Sequence, residues 1–126
     1  MQQLYFHPTW DKAISPQDRT RIEEVFEATY TQVDDVIMSP LVRAAINHKG
    51  ELLVMVLVHN FTHHSARFVE RSLFVHCDDF SEEYVMTIPV LSVPPFTSMP
   101  WTFIFPASPI YQTLELEHVV LEIDTY

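Results

Sequence analysis

The 126-residue chain contains one glycine and one cysteine, where an average glycine usage of about 7% would give roughly nine. A Walker phosphate loop, a dinucleotide-binding G-x-G-x-x-G turn, a G-x-S-x-G nucleophile elbow and an EF-hand loop all need glycine, for positive φ or for close backbone approach. None can be built here. A single cysteine excludes an internal disulfide framework and any multi-cysteine zinc or iron–sulfur centre. Lysine and arginine are also scarce: 7 stand against 17 Asp+Glu, for a net charge of −10. Such a chain repels a polyanionic duplex, so nucleic acid is not an expected partner. The imbalance is concentrated in residues 51–126, where Arg67 and Arg71 face ten acidic side chains.

Long apolar runs are missing as well. The longest, Leu52–Val58, has seven residues against the about 20 needed to span a bilayer. The N-terminal residues lack the basic segment and apolar stretch of a Sec signal. The expectation is therefore a cytoplasmic chain without a membrane span, and Asn60-Phe61-Thr62 matches a glycosylation sequon by accident. What the chain has is apolar mass, 48% hydrophobic and 13% aromatic residues, enough for residues 1–126 to fold as one domain on its core alone.

Ser15-Pro16-Gln17-Asp18 supplies an N-cap, a proline at the first helical position and an acid in the first turn. Ile22, Val25, Phe26, Tyr30 and Val33 then recur on one stripe, predicting an amphipathic helix over about 16–32. After Pro40 the period becomes two. Strands are expected at about 41–47, 51–60, 67–76, 83–91, 99–105 and 116–123, the first two forming a hairpin whose loop places Gly50 at a left-handed position. Short strands with proline-rich and polar turns predict a mainly β chain: an immunoglobulin- or fibronectin-III-like antiparallel β-sandwich with one N-terminal amphipathic helix. Leu52–Val58 is apolar on both faces, so its outer face needs a cover. The helix is one, and a partner protein or a second copy of the chain in a homodimer is the alternative.

His7-Pro8-x-Trp10 before the helix and Pro94-Pro95-x-x-Ser98-x-Pro100-Trp101-x-Phe103-x-Phe105-Pro106 near the end, with the strand pair Leu53–Asn60 and Phe68–Val75 between them, resemble the SLAP domain of Firmicutes, named for S-layer assembly proteins associated with an accessory Sec system. The resemblance spans nearly the whole chain. It implies a small bacterial β-domain, not known as an enzyme, with a possible link to cell-envelope or S-layer assembly. Read as residues, His7, Pro8, Trp10, Pro95, Ser98, Pro100, Trp101, Phe103, Phe105 and Pro106 have a structural role: Trp101, Phe103 and Phe105 share one strand face and insert into the core. The prolines stiffen a strand entry or edge, and Trp10 locks the N-terminal segment onto the body.

For chemistry, His59, His63 and His64 are candidate metal ligands, since neutral imidazole is a common nitrogen donor. No acid or thiol lies in the same turn to complete a tetrahedron, and adjacent His63 and His64 point apart on extended backbone. His76-Cys77-Asp78-Asp79 is a second cluster, and Cys77 with His76 or His118 would be the nucleophilic pair, although flanking acids raise a thiol's pKa. The leading expectation is a non-enzymatic protein-interaction domain without cofactor, docking through a sheet edge or the histidine- and aromatic-bearing loops. The alternative is a small metal-binding or hydrolytic protein using His59, His63 and His64.

Overall fold

The helix signal at Ser15-Pro16 and the period-two patterning after Pro40 both appear in the computed structural model, which describes residues 2–29 and 33–124. The elements in chain order are β1 (Gln3–Leu4), α1 (Pro8–Ala13), α2 (Pro16–Thr29), β2 (Val36–Met38), β3 (Arg43–Ile46), β4 (Leu52–Asn60), β5 (Ala66–Cys77), β6 (Phe80–Val93), β7 (Thr97–Phe105), two 3-10 turns (Pro109–Thr113 and Leu116–His118) and β8 (Val120–Ile123). Ser15 Oγ accepts the Asp18 N–H at 3.1 Å, the N-cap geometry that starts α2.

The strands form two sheets. One runs β1-β7-β4, with β2 and β3 sharing the far edge of β4; the other runs β6-β5-β8. Their inner faces meet in one core that takes Leu52, Val54, Val56 and Val58 from β4, Phe103 and Phe105 from β7, Phe68, Leu73 and Val75 from β5 and Leu121 from β8. The chain is thus mainly β, with two layers. The outer face of β4 has its own smaller cluster, in which Ile22 and Val25 of α2 bury Leu57, with Phe26, Val42 and Met55 around them. The two-faced apolar run is therefore covered by the helix, each fully buried aliphatic side chain contributing about 1.5–3 kcal/mol.

The hairpin expected between the first two strands is present as β3 and β4, and Gly50 adopts φ +81° in its loop. Other expectations need correction. The described residues form two α-helices, not one: the six-residue α1 is too short to show a period, and its signal is the cap and proline of His7-Pro8. The end of the helix expected over 16–32 lies partly outside the described residues; α2 is described to Thr29. The strand expected from 116 is a 3-10 turn over Leu116–His118, and β8 begins at Val120. β1 and β2, of two and three residues, were below the reach of a periodicity argument. The ladders are not wholly antiparallel, because β1 lies parallel to β7. Ser39 bridges β2 and β3: its N–H donates to Leu57 C=O and its Oγ accepts the Leu57 N–H, both at 2.9 Å. Pro40 can therefore interrupt the edge without orphaning β4.

With so few glycines, left-handed backbone falls on other residues: Glu70 (φ 48°), Asp78 (φ 53°) and Phe96 (φ 51°). Asp78 sits in the turn that joins β5 to β6, and Glu70 lies at the register shift between Phe68 and Arg71. Asp tolerates this region well; Glu and Phe do so at a cost.

Candidate functional site

The two distant blocks of the family resemblance converge in space. His7 caps α1, its Nδ1 accepting the Thr9 N–H at 3.2 Å, and Pro8 occupies the first turn, where a missing N–H costs nothing. This short helix carries Trp10 to Trp101 of β7, where the rings stack at 6.2 Å and 25°, and the His7 ring meets Trp101 edge-on at 6.1 Å. Phe103 and Phe105 are fully buried, against Phe68 and Tyr84 respectively. Trp101 departs from the expectation that all three aromatics insert into the core. It packs on the core only in part and is held at the rim by Trp10 and His7. Pro95 accepts the Thr97 hydroxyl at its carbonyl, 3.0 Å away, and helps set the turn before β7.

Ser98 anchors a buried polar chain. Thr29 Oγ1 donates to the Val25 carbonyl, so toward His59 Nε2, 2.9 Å away, it must accept. Nε2 then carries the proton, and Nδ1 accepts the Ser98 hydroxyl at 2.6 Å. Ser98 Oγ in turn accepts the Gln2 amide at 3.0 Å, and the same amide reaches Asn60 C=O at 3.1 Å. The chain ties the segment before β1, then β7, β4 and α2 together around a neutral His59. Burial holds the imidazole pKa down at about 4. His59 and Ser98 are both 0% exposed, so this Ser–His contact has no access for a substrate.

The candidate metal ligands do not converge. His59, at the end of β4, is a core residue with both nitrogens engaged. His63 is exposed, its ring edge-on to Phe96 at 5.0 Å, and His64 is exposed, using its backbone carbonyl to accept from Asn60 and Thr62. Among the described residues, no group of three or more His, Cys, Asp or Glu side chains is disposed to hold a metal ion. Asn60 of the sequon is buried, its amide nitrogen donating to the carbonyls of His64, Val93 and Pro94. Cys77 is buried, and its thiol donates to Glu115 C=O at 3.2 Å. Burial, and then the Asp78 carboxylate, push its pKa up. His76 and His118 are engaged separately, with Glu122 at 2.9 Å and Asp78 at 3.0 Å.

The open surface lies beside Trp101. The Gln3 and Tyr5 N–H groups donate to the Phe96 and Ser98 carbonyls, so the even-numbered residues of β7 turn their backbone groups toward the β1 side, and the odd-numbered ones face β4. Beyond Tyr5 the chain leaves for α1, and no strand among the described residues pairs with that side of Pro100–Phe105. Pro100 is tolerated opposite Leu57 because its missing N–H faces this free edge. Thr102 and Ile104 keep N–H and C=O groups there. Alongside runs a groove of about 660 Å³ between β6 and β7, lined by Tyr84, Met86, Ile88, Trp101 and Phe103, with Val85 and Ile104 on its rim and Glu51 at its border. Val85 and Ile104 are 64% and 53% exposed. A smaller cleft of about 390 Å³ lies beside α1, between Trp10, Ile14 and Met55. This edge was invisible in the sequence, because which side of β7 is unpaired depends on where β1 stops.

No curated protein and no solved structure matches the chain. The family model of the SLAP domain matches residues 4–123, a span that includes the His-Pro-x-Trp block, the Trp101 strand it packs against and both sheets, and the chain belongs to the SLAP domain family.

Proposed function

We propose that this SLAP domain is a non-enzymatic protein-interaction module, an immunoglobulin-like sandwich that docks a partner on the free edge of β7. Cell-envelope or S-layer assembly is the setting the family implies. One observation carries the reading: Thr102 and Ile104 present unpaired ladder groups directly beside an apolar groove. An exposed strand edge is a template for another strand unless proline, charge or a bulge blunts it. β6 is blunted in that way, by Pro89 and the register shifts around Phe68. On β7, Pro100 removes one donor from the edge, and Thr102 and Ile104 beyond it keep theirs. Two features support a role without catalysis: the Ser98–His59 pair is sealed inside, and the Cys77 thiol is buried with a raised pKa.

The test compares wild-type protein with Thr102→Pro and Ile104→Lys, each isolated with its bound partners from the native host. Thr102→Pro deletes an edge N–H that pairs with no strand, so folding is retained and the melting temperature stays within a few degrees. A partner held by the wild type and lost from both variants is the expected result. A partner set indifferent to both substitutions overturns the proposal.

A further inference from the structure

We infer that the occupant of the β7 edge is an extended basic segment of another protein, added as a strand whose apolar side chains enter the groove; this rests on the docking reading above. The groove fixes the first half of that description. Its lining by Met86, Ile88, Trp101 and Phe103 is apolar, and its mouth is a strand edge. A strand laid along Thr102 and Ile104 turns alternate side chains inward to that lining and outward to the rim.

Charge fixes the second half. No lysine or arginine lines the groove, and the charged residue that does is Glu51. Glu82 and Glu83 precede Tyr84 on the same strand and are exposed. Of the two arginines in residues 51–126, Arg71 is bound by Asp124, its Nε 2.8 Å from Oδ1. Residues 51–126 thus carry ten acidic against two basic side chains, a balance that attracts a basic segment and raises its association rate. The same argument excludes a second copy as the preferred occupant, because two chains of net charge −10 would bring like-charged surfaces together at the interface.

The probes are two blocked heptapeptides, one alternating valine and lysine, the other alternating valine and glutamate, titrated into the isotope-labelled full chain. The lysine peptide is expected to shift the amide resonances of Thr102 and Ile104 and the indole of Trp101. It should weaken more than ten-fold as salt rises from about 0.05 to about 0.5 M, lose affinity with Glu51→Lys, and fail to bind Thr102→Pro. Equal binding of the glutamate peptide, or shifts that map elsewhere, overturns the inference. So does a concentration-dependent dimer abolished by Thr102→Pro, which would assign the edge to a second copy. If the host partner is lost from the edge variants while the lysine peptide is silent, the basic class fails and the docking reading stands. If the host partner ignores the edge variants, both fail.

Discussion

His59 Nδ1 lies 2.6 Å from Ser98 Oγ, and both side chains are completely buried. The distance is that of a nucleophile and its base, yet the direction of the hydrogen bonds gives the pair a different role. Ser98 donates to the imidazole and accepts from Gln2, while the imidazole donates to Thr29. Every proton in the chain is committed to a neutral ring.

Protonating that ring would turn Nδ1 into a donor, deprive the Ser98 hydroxyl proton of its acceptor and leave a charge in the core. With a folded-state pKa of about 4 against about 6.5 unfolded, the unfolded chain binds more protons in that interval. The stability from neutral His59 is fully present above about pH 6.5 and is lost as pH falls toward 4, roughly 3 kcal/mol in all. Carboxylates titrate nearby, so the measurement is a difference: denaturant unfolding of wild type and His59→Gln across this range. The wild type should lose about 3 kcal/mol more than the variant on acidification. Parallel curves would show that His59 does not carry the penalty.

Trp10 makes a second testable link, because its stack on Trp101 joins α1 to the edge of β7. Trp10→Ala removes a half-buried ring from both the stack and the cluster around Leu57, with an expected loss of about 2–3 kcal/mol. Trp101 emission should shift to the red as its rim opens to water. Trp10→Phe retains most of the packing and should recover more than half of the loss. A Trp10→Ala protein with wild-type stability and unshifted emission would remove α1 from the set of structural supports.

How much of this was legible in the sequence depended on how local each signal is. The Ser15 cap, the left-handed turn at Gly50 and the buried positions of Phe103 and Phe105 are written in adjacent residues, and each took its expected place. The two-faced pattern of Leu52–Val58 correctly required a cover, and α2 supplies it. His59 lies in the expected strand 51–60, but its burial was not legible because its partners, Thr29 and Ser98, lie 30 and 39 residues away. Trp101 was assigned to the core by alternation alone. That argument fixes the side of the sheet but not that the strand runs beside an open rim, where Trp10 meets it.

The end of the described chain provides a third prediction. Arg71 is 6% exposed, and its guanidinium donates to the Asp124 side chain at 2.8 Å and to the Asp124 carbonyl at 3.0 Å; Asp124 Oδ2 also accepts the Ser72 N–H at 3.2 Å. Asp124→Ala removes one carboxylate from a mostly buried cation. Loss of a partner in such a pair costs about 3–5 kcal/mol when both are buried, and the partly exposed Asp124 reduces this to about 2 kcal/mol. Asp124→Asn keeps the hydrogen-bond acceptor and should lose about half as much. Urea unfolding of the two variants checks the order; an equal loss in both would assign it to charge and not to shape.

The shortage of glycine yields the last prediction, at the left-handed residues that occupy two turns and the β5 bulge. A left-handed non-glycine residue costs about 1–2 kcal/mol, while introducing glycine loosens the unfolded chain by about 0.5–1 kcal/mol. At Glu70 (φ 48°) the side chain is exposed and the backbone N–H is held by Thr87 Oγ1 at 2.8 Å, a bond that glycine preserves. Glu70→Gly should therefore stabilise the protein by about 0.5–1 kcal/mol. At Phe96 (φ 51°) the same relief is offset by loss of the ring contact with His63, so Phe96→Gly should be close to neutral. Asp78 already belongs to a residue type that visits this region readily, and Asp78→Gly also removes the acceptor for His118, so no gain is expected there. Thermal and urea unfolding of the three variants should rank them Glu70→Gly above Phe96→Gly and Asp78→Gly. A destabilised Glu70→Gly would mean that the bulge, and not the backbone angle, fixes the conformation at that position.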